Sequence, residues 1–73
     1  MNDEIPPAGA YAVDTRTDRI GQVMDVWGPY VQLRPPKGGC EWDVPREAIR
    51  PARVSEELGA RVSDLNWQSR YLP

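Results

Sequence analysis

The side chains most able to do chemistry in this sequence are few. It contains no histidine and a single cysteine, Cys40. Most zinc sites and histidine-activated nucleophiles are therefore excluded, since they need imidazole or clustered thiolates. The aspartates of residues 14–25 lack the spacing of a calcium loop, and Gly38-Gly39 does not match a phosphate-binding loop. We therefore expect a non-catalytic protein with no metal, no cofactor and no small-molecule substrate.

Two aromatic residues at a predicted turn offer a binding surface instead. Trp27 and Tyr30 flank Gly28-Pro29 and would project from the same, non-core face of a hairpin. They could form a platform for a proline-rich or otherwise extended peptide, the mode that SH3 domains use. The alternative is that both rings lie beneath a C-terminal helix as a second small core.

Two more aromatic residues lie near the carboxyl terminus. Trp67 is about 180° around a helix from Leu58, and Tyr71 is on the same side as Trp67. Tryptophan and tyrosine are favoured anchors of protein interfaces. This arrangement predicts a self-association or partner surface at Trp67 and Tyr71. The alternative is that the helix frays after Leu65 and Trp67 folds back onto the domain.

Basic residues concentrate in the middle of the chain: Arg34, Lys37, Arg46, Arg50 and Arg53. They could contact phosphates, with Tyr30 stacking on a base. However, acidic residues are interleaved with them, and the whole chain has a net charge of −2. Nucleic-acid-binding domains usually carry a basic excess. We therefore expect a solvated face of mixed charge and no nucleic-acid partner.

A chain of 73 residues has room for one small domain. Residues 1–9 lack apolar periodicity and are expected to form a flexible tail. Residues 10–54 should form the β-rich body, and residues 55–73 the helix and end of the same domain. The predicted elements are strands at 11–14, 19–27, 30–34 and 40–44, a helical turn at 45–49, a closing strand at 50–54, and a helix at 56–69 capped by Ser55.

The alternation of apolar residues sets the register of the third and fourth strands. It matches Leu33 to Trp42. The same register matches Val31 to Val44 and leaves Arg34 opposite Glu41, with Cys40 pointing inward.

Across the turn at Gly28-Pro29, the same logic matches Val26 to Val31 and Met24 to Leu33. The predicted core is the set of apolar residues that then share one sheet face: Met24, Val26, Val31, Leu33, Trp42 and Val44.

These elements predict a mainly β fold, a small five-stranded SH3-like barrel with one C-terminal α-helix. Closing the sheet would protect its edges in so small a protein. Four apolar residues recur at helical spacing: Val54, Leu58, Val62 and Leu65. We expect this stripe to dock on the barrel near Trp27 and Tyr30.

Residues 18–26 (DRIGQVMDV) and 42–49 (WDVPREAI) resemble the PRC-barrel pattern, with its "IGxVxDV"-like strand and "VPxxAI"-like segment. The resemblance covers residues 11–54. It implies a binding module used in ribosome maturation or attached to larger assemblies, and no catalytic residue carries over. The segments GPYVQLRPP and WDVPREAIRPA also look like segments of small actinobacterial proteins. Gly21, after a polar loop, is similar to the corresponding glycine of KOW and Tudor-type barrels.

The predicted function is a non-catalytic protein-interaction or regulatory accessory module whose partner is another protein or a second copy. One alternative is a KOW-like or PRC-barrel-like module that binds nucleic acid or the ribosome, and another is a structural subunit of a homo-oligomer. No apolar run approaches the ~18 residues of a membrane span. The acidic amino terminus is unlike a signal peptide, so a cytoplasmic location is expected.

Overall fold

The computed structural model describes the backbone of residues 5–71 and the side chains of residues 5–66. The side chains of Trp67 and Tyr71, the predicted interface pair, lie outside the described residues. The elements follow the predicted order: β1 (Tyr11–Asp14), β2 (Arg19–Trp27), β3 (Tyr30–Arg34), β4 (Trp42–Pro45), the 3-10 turn Arg46–Ala48, β5 (Ile49–Pro51) and α1 (Val54–Tyr71). The prediction of a mainly β fold with one C-terminal helix is confirmed.

The five strands form one antiparallel sheet in the order β4-β3-β2-β1-β5. The sheet is open, with β4 and β5 as its two edges, and among the described residues no ladder joins them. The chain nevertheless passes from one edge strand to the other through the three residues Arg46–Ala48. So short a connection requires the sheet to curl until its edges approach each other.

The predicted register of β3 and β4 is confirmed for its two core pairs. The ladder ends at Trp42, however, and Arg34 contacts Gln22 and Asp64 rather than the predicted Glu41. Leu33 pairs with Trp42, and Val31 pairs with Val44. Val26 also pairs with Val31 as predicted, but a bulge lies between Val23 and Asp25, so that Val23 pairs with Leu33. The prediction that Met24 opposes Leu33 is therefore wrong, because a bulge inserts one residue and changes the facing of the strand before it.

The bulge changes the composition of the core, which contains the fully buried residues Ala12, Val23, Val31, Leu33 and Val44. Met24 and Val26 are each 37% exposed, in contrast to their predicted burial. Trp42 is half-buried against this core. Cys40 is exposed, not inward, because β4 begins only at Trp42 and the alternation does not extend back to residue 40.

At Gly21, in the middle of β2, the backbone lies very close to residues of strands β3 and β4. A Cβ atom added there would lie 2.9 Å from Leu33 Cβ and 3.0 Å from both the Arg34 carbonyl oxygen and Trp42 Cη2. Glycine is therefore required by packing, since any side chain would overlap the neighbouring strand.

Residues 5–9 lie against the sheet. The Gly9 amide donates to the Val23 carbonyl at 2.8 Å, and Gln22 Nε2 donates to the Gly9 carbonyl at 3.0 Å. Ile5 packs on the core. Residues 1–4 of the predicted tail lie outside the described residues.

Helix α1 begins at Val54, two residues before the predicted start. The Arg53 amide donates to Glu56 Oε1 at 2.8 Å. Glu56 therefore caps the amino-terminal end of the helix, as the glutamate of a capping box does. The predicted cap, Ser55, does not have this role. No helix in the described part of the chain is long and apolar enough to cross a membrane.

The expected docking of α1 through its apolar stripe is wrong. Val54, Leu58, Val62 and Leu65 are all exposed, and Ala60 and Asp64 are buried instead. The helix lies on the sheet face that carries Tyr11 and Arg34, because both residues interact with Asp64. Polar contacts with the sheet decide which side of the helix faces inward.

Candidate functional site

Trp27 and Tyr30 form an exposed aromatic pair at the tip of the β2–β3 hairpin. They are directly opposite each other across the two strands. Their ring centroids are 5.3 Å apart with an interplanar angle of 43°. Trp27 is 49% exposed and Tyr30 is 38% exposed. The alternative in which the helix covers both rings is therefore wrong.

The turn that connects the pair is fixed by Arg46. The Arg46 amide donates to the Pro29 carbonyl at 3.0 Å, and its Nε donates to the Gly28 carbonyl at 3.0 Å. Gly28 has a φ of 56°, a left-handed conformation that glycine adopts without strain. These contacts join the hairpin tip to the start of the 3-10 turn and hold the two rings in place.

Pro45 of β4 extends this pair to a row of three residues across the sheet. Tyr30 pairs with Trp27 on one side and with Pro45 on the other. Side chains alternate between the two faces of a strand, so this row lies on the face opposite Val31 and Leu33. We refer to Trp27, Tyr30 and Pro45 as the aromatic row.

The next row on the same face is polar and acidic. Gln32 pairs with Asp25 on β2 and with Asp43 on β4. Both aspartates are exposed, and two residues along a strand separate this row from the aromatic row by about 7 Å. We refer to Asp25, Gln32 and Asp43 as the acidic row. The face therefore presents an apolar strip beside a strip that carries two negative charges.

A buried carboxylate organises the opposite side of the sheet. Asp14 is 1% exposed and accepts hydrogen bonds from the Arg16 amide, Nε and Nη2, each at 3.0 Å. Trp42 Nε1 donates to Asp14 Oδ2 at 3.0 Å. The Arg16 hydrogen bonds lower the pKa of Asp14 to about 2. All its acceptors are used within the fold, so Asp14 is a structural anchor.

Two of the basic residues considered for phosphate contact are paired with acidic side chains. Arg34 bonds to Gln22 and lies 3.7 Å from Asp64. Arg50 is paired with Glu56 at 2.8 Å. For Lys37 and Arg53, no side-chain hydrogen bond or ion pair is formed with another described residue.

A groove of about 610 Å³ lies between α1 and the β3–β4 connection. Its apolar lining includes Val13, Ile20, Pro35, Pro36 and Ala60. It does not extend to the aromatic row. Among the described residues, no group of three or more cysteine, aspartate or glutamate side chains could hold a metal ion.

Comparison of the chain with family models, with curated proteins and with solved structures finds no match. Sequence reasoning identified Trp27 and Tyr30 but missed the acidic row, which the pairing of Gln32 with Asp43 brings together. The signal for it was already in the predicted β3–β4 register, since matching Leu33 to Trp42 also matches Gln32 to Asp43.

Proposed function

We propose that this protein is a non-catalytic protein-interaction module that binds an extended peptide segment through the aromatic row and the acidic row. The observation that carries this proposal is the exposure of Trp27 and Tyr30 beside two exposed carboxylates on one sheet face. Large aromatic side chains that remain exposed on a braced turn can bind without losing much conformational entropy.

The two rows also define the chemistry of the ligand. Proline and other apolar side chains pack well on tryptophan and tyrosine rings, and extended proline-rich segments are recognised by aromatic-lined surfaces. Asp25 and Asp43 favour lysine or arginine about 7 Å away, two residues along an extended peptide. We therefore propose a ligand in which proline or another apolar residue is followed or preceded at short range by a basic residue.

We also propose the finer assignment of the fold, an SH3-like barrel that resembles PRC-barrel proteins. The direct connection between the edge strands β4 and β5 supports an SH3-like arrangement, and the packing requirement at Gly21 supports the resemblance to PRC-barrel proteins. A single cysteine cannot form an intrachain disulfide, which supports placement of the module in the cytoplasm. A regulatory accessory role would follow from recognition of a segment in a larger partner.

The proposal can be tested by selection from a random peptide display library. We expect the wild-type protein to enrich peptides that combine proline with arginine or lysine. Trp27→Ala and Tyr30→Ala should lose this enrichment, and Asp25→Asn with Asp43→Asn should keep the apolar preference but lose the basic one. Thr17→Ala, a change at an exposed loop position away from both rows, is the control.

Enrichment that is unchanged in Trp27→Ala, in a variant that keeps the wild-type circular dichroism spectrum, would contradict this proposal. A gel shift of RNA or duplex DNA at submicromolar protein, lost in Arg46→Glu, would instead support the nucleic-acid alternative. We expect no such shift, because Arg34 and Arg50 are paired with acidic residues.

A further inference from the structure

Helix α1 contacts the sheet through its polar side. Tyr11 donates its hydroxyl to Asp64 Oδ2 at 3.2 Å. Arg50 forms two hydrogen bonds with the Glu56 carboxylate, at 2.9 and 2.8 Å. Ala60, between these two anchors, is 5% exposed. The inner side of the helix is therefore fixed by ion pairs and hydrogen bonds.

The apolar side of the same helix faces away from the sheet. Its four residues are between 54% and 75% exposed: Val54, Leu58, Val62 and Leu65. They extend over about 17 Å of helix. In a surface helix such a stripe normally faces the core, and a contiguous exposed apolar patch marks an interaction site. We refer to these four residues as the outer stripe.

We propose that the outer stripe pairs with the outer stripe of a second copy of this chain, so that the protein forms a homodimer through α1. The inference is independent of the proposed peptide site, because it uses different residues on a different surface. Leu58, Val62 and Leu65 are separated by four and then three residues, the spacing of positions d, a and d in a heptad. A β-branched residue at a and leucine at d favour two-stranded pairing.

The charges beside the outer stripe suit an identical partner. Glu57 and Arg61 form an ion pair at 2.7 Å along one edge of the stripe. This edge is therefore locally neutral, and two copies can approach without a net repulsion between them. A membrane surface would fit less well, since helices that bind one carry lysine and arginine along the polar face. Helix α1 contains two basic residues, Arg61 and Arg70, against three acidic ones.

The size of the outer stripe limits the strength of the dimer. Three turns of helix from each copy bury an area at the low end of specific interfaces. We expect a dissociation constant on the order of tens of micromolar. The dimer should therefore dissociate within the concentration range of analytical ultracentrifugation.

Sedimentation equilibrium between about 5 and 500 μM tests the proposal on the full chain. The wild-type protein should change from monomer to dimer over this range. Leu58→Glu with Leu65→Glu should weaken association at least tenfold, because both carboxylates would be buried at the contact. The control Ala8→Glu with Thr17→Glu adds the same charge at exposed positions away from α1 and should leave the dissociation constant unchanged.

A wild-type protein that is monomeric at every concentration would overturn the proposal, and a double glutamate variant with wild-type association would do the same. If the glutamate variant loses its helical circular dichroism, Leu58→Gln with Leu65→Gln replaces it under the same criterion. Failure of the peptide selection while the wild-type protein dimerises would reject the proposed function and leave this inference intact. Binding of a monomeric protein to anionic lipid vesicles would show that the outer stripe serves a membrane instead.

Discussion

Trp42 donates its indole N–H to the buried carboxylate of Asp14, with Nε1 and Oδ2 3.0 Å apart. The contact joins the edge strand β4 to β1, and β3 and β2 lie between these two strands in the sheet. Arg19 lies over the Trp42 ring at 4.0 Å from its centroid. The curled shape of the sheet, which the short connection from β4 to β5 also requires, is therefore held by one side-chain bridge across its concave side.

This bridge predicts a loss of stability in acid. Arg16 lowers the pKa of Asp14 to about 2, below the ordinary value near 4 of an unfolded aspartate. The carboxylate therefore contributes stability above about pH 4, and this contribution is lost as the pH falls through 2. We expect this contribution to the free energy of unfolding to be roughly 1–2 kcal/mol.

Urea unfolding between pH 7 and pH 2 measures this contribution. Asp14→Asn should be less stable at pH 7 and should depend less on pH than the wild type. Asp18→Asn is the control, since Asp18 is exposed with a φ of 59° that asparagine tolerates. An Asp14→Asn variant with the full wild-type pH dependence would show that another group is responsible.

The register of β3 and β4 predicts that substitutions at the neighbouring residues Glu41 and Trp42 differ in their cost to stability. Trp42→Ala removes the ring that packs on the core together with its bond to Asp14, and we expect a cost of about 3 kcal/mol or more in the free energy of unfolding. Glu41→Ala, at an exposed position before β4, should cost less than about 1 kcal/mol. Equal costs in chemical denaturation would contradict this assignment.

Replacing two glycines with alanine should change the stability of the protein in opposite directions. Gly21→Ala would bring a Cβ within 2.9 Å of Leu33 Cβ, and we expect a loss of about 1–3 kcal/mol. Gly59→Ala, in α1, meets no atom within 4 Å and should stabilise the protein by up to about 1 kcal/mol. Thermal unfolding of both variants checks the prediction, and a neutral Gly21→Ala would show that β2 and β3 can separate without cost.

The strand order along the chain, the β3–β4 register and the Val26–Val31 pair follow from period-two alternation. Val31 and Leu33 leave only one facing for Val44 and Trp42. The bulge at Met24 could not be predicted because Val23, Met24 and Val26 are all apolar, and the pattern permits either facing. The fourth strand was extended too far because Cys40 continues the alternation, although Gly38 and Gly39 precede it with positive φ.

The side of α1 that faces the sheet was predicted wrongly for a related reason. Hydrophobic periodicity identifies the apolar side of a helix but does not say what covers it. Glu56, Ala60 and Asp64 also recur every four residues. Glu56 pairs with Arg50 of the preceding strand β5, whereas Asp64 contacts Tyr11 and Arg34 of the distant strands β1 and β3. Only the three-dimensional arrangement shows that these pairs anchor the helix.

We propose that the aromatic row and the acidic row bind one extended peptide. An NMR titration of labelled protein with two synthetic peptides tests it, one with two prolines followed by arginine and one with glutamate in place of that arginine. We expect shifts at the Trp27 indole and the Tyr30 and Asp25 amides, with the arginine peptide binding at least fivefold more tightly. Equal binding of both peptides, or shifts that avoid Trp27 and Tyr30, would contradict the account.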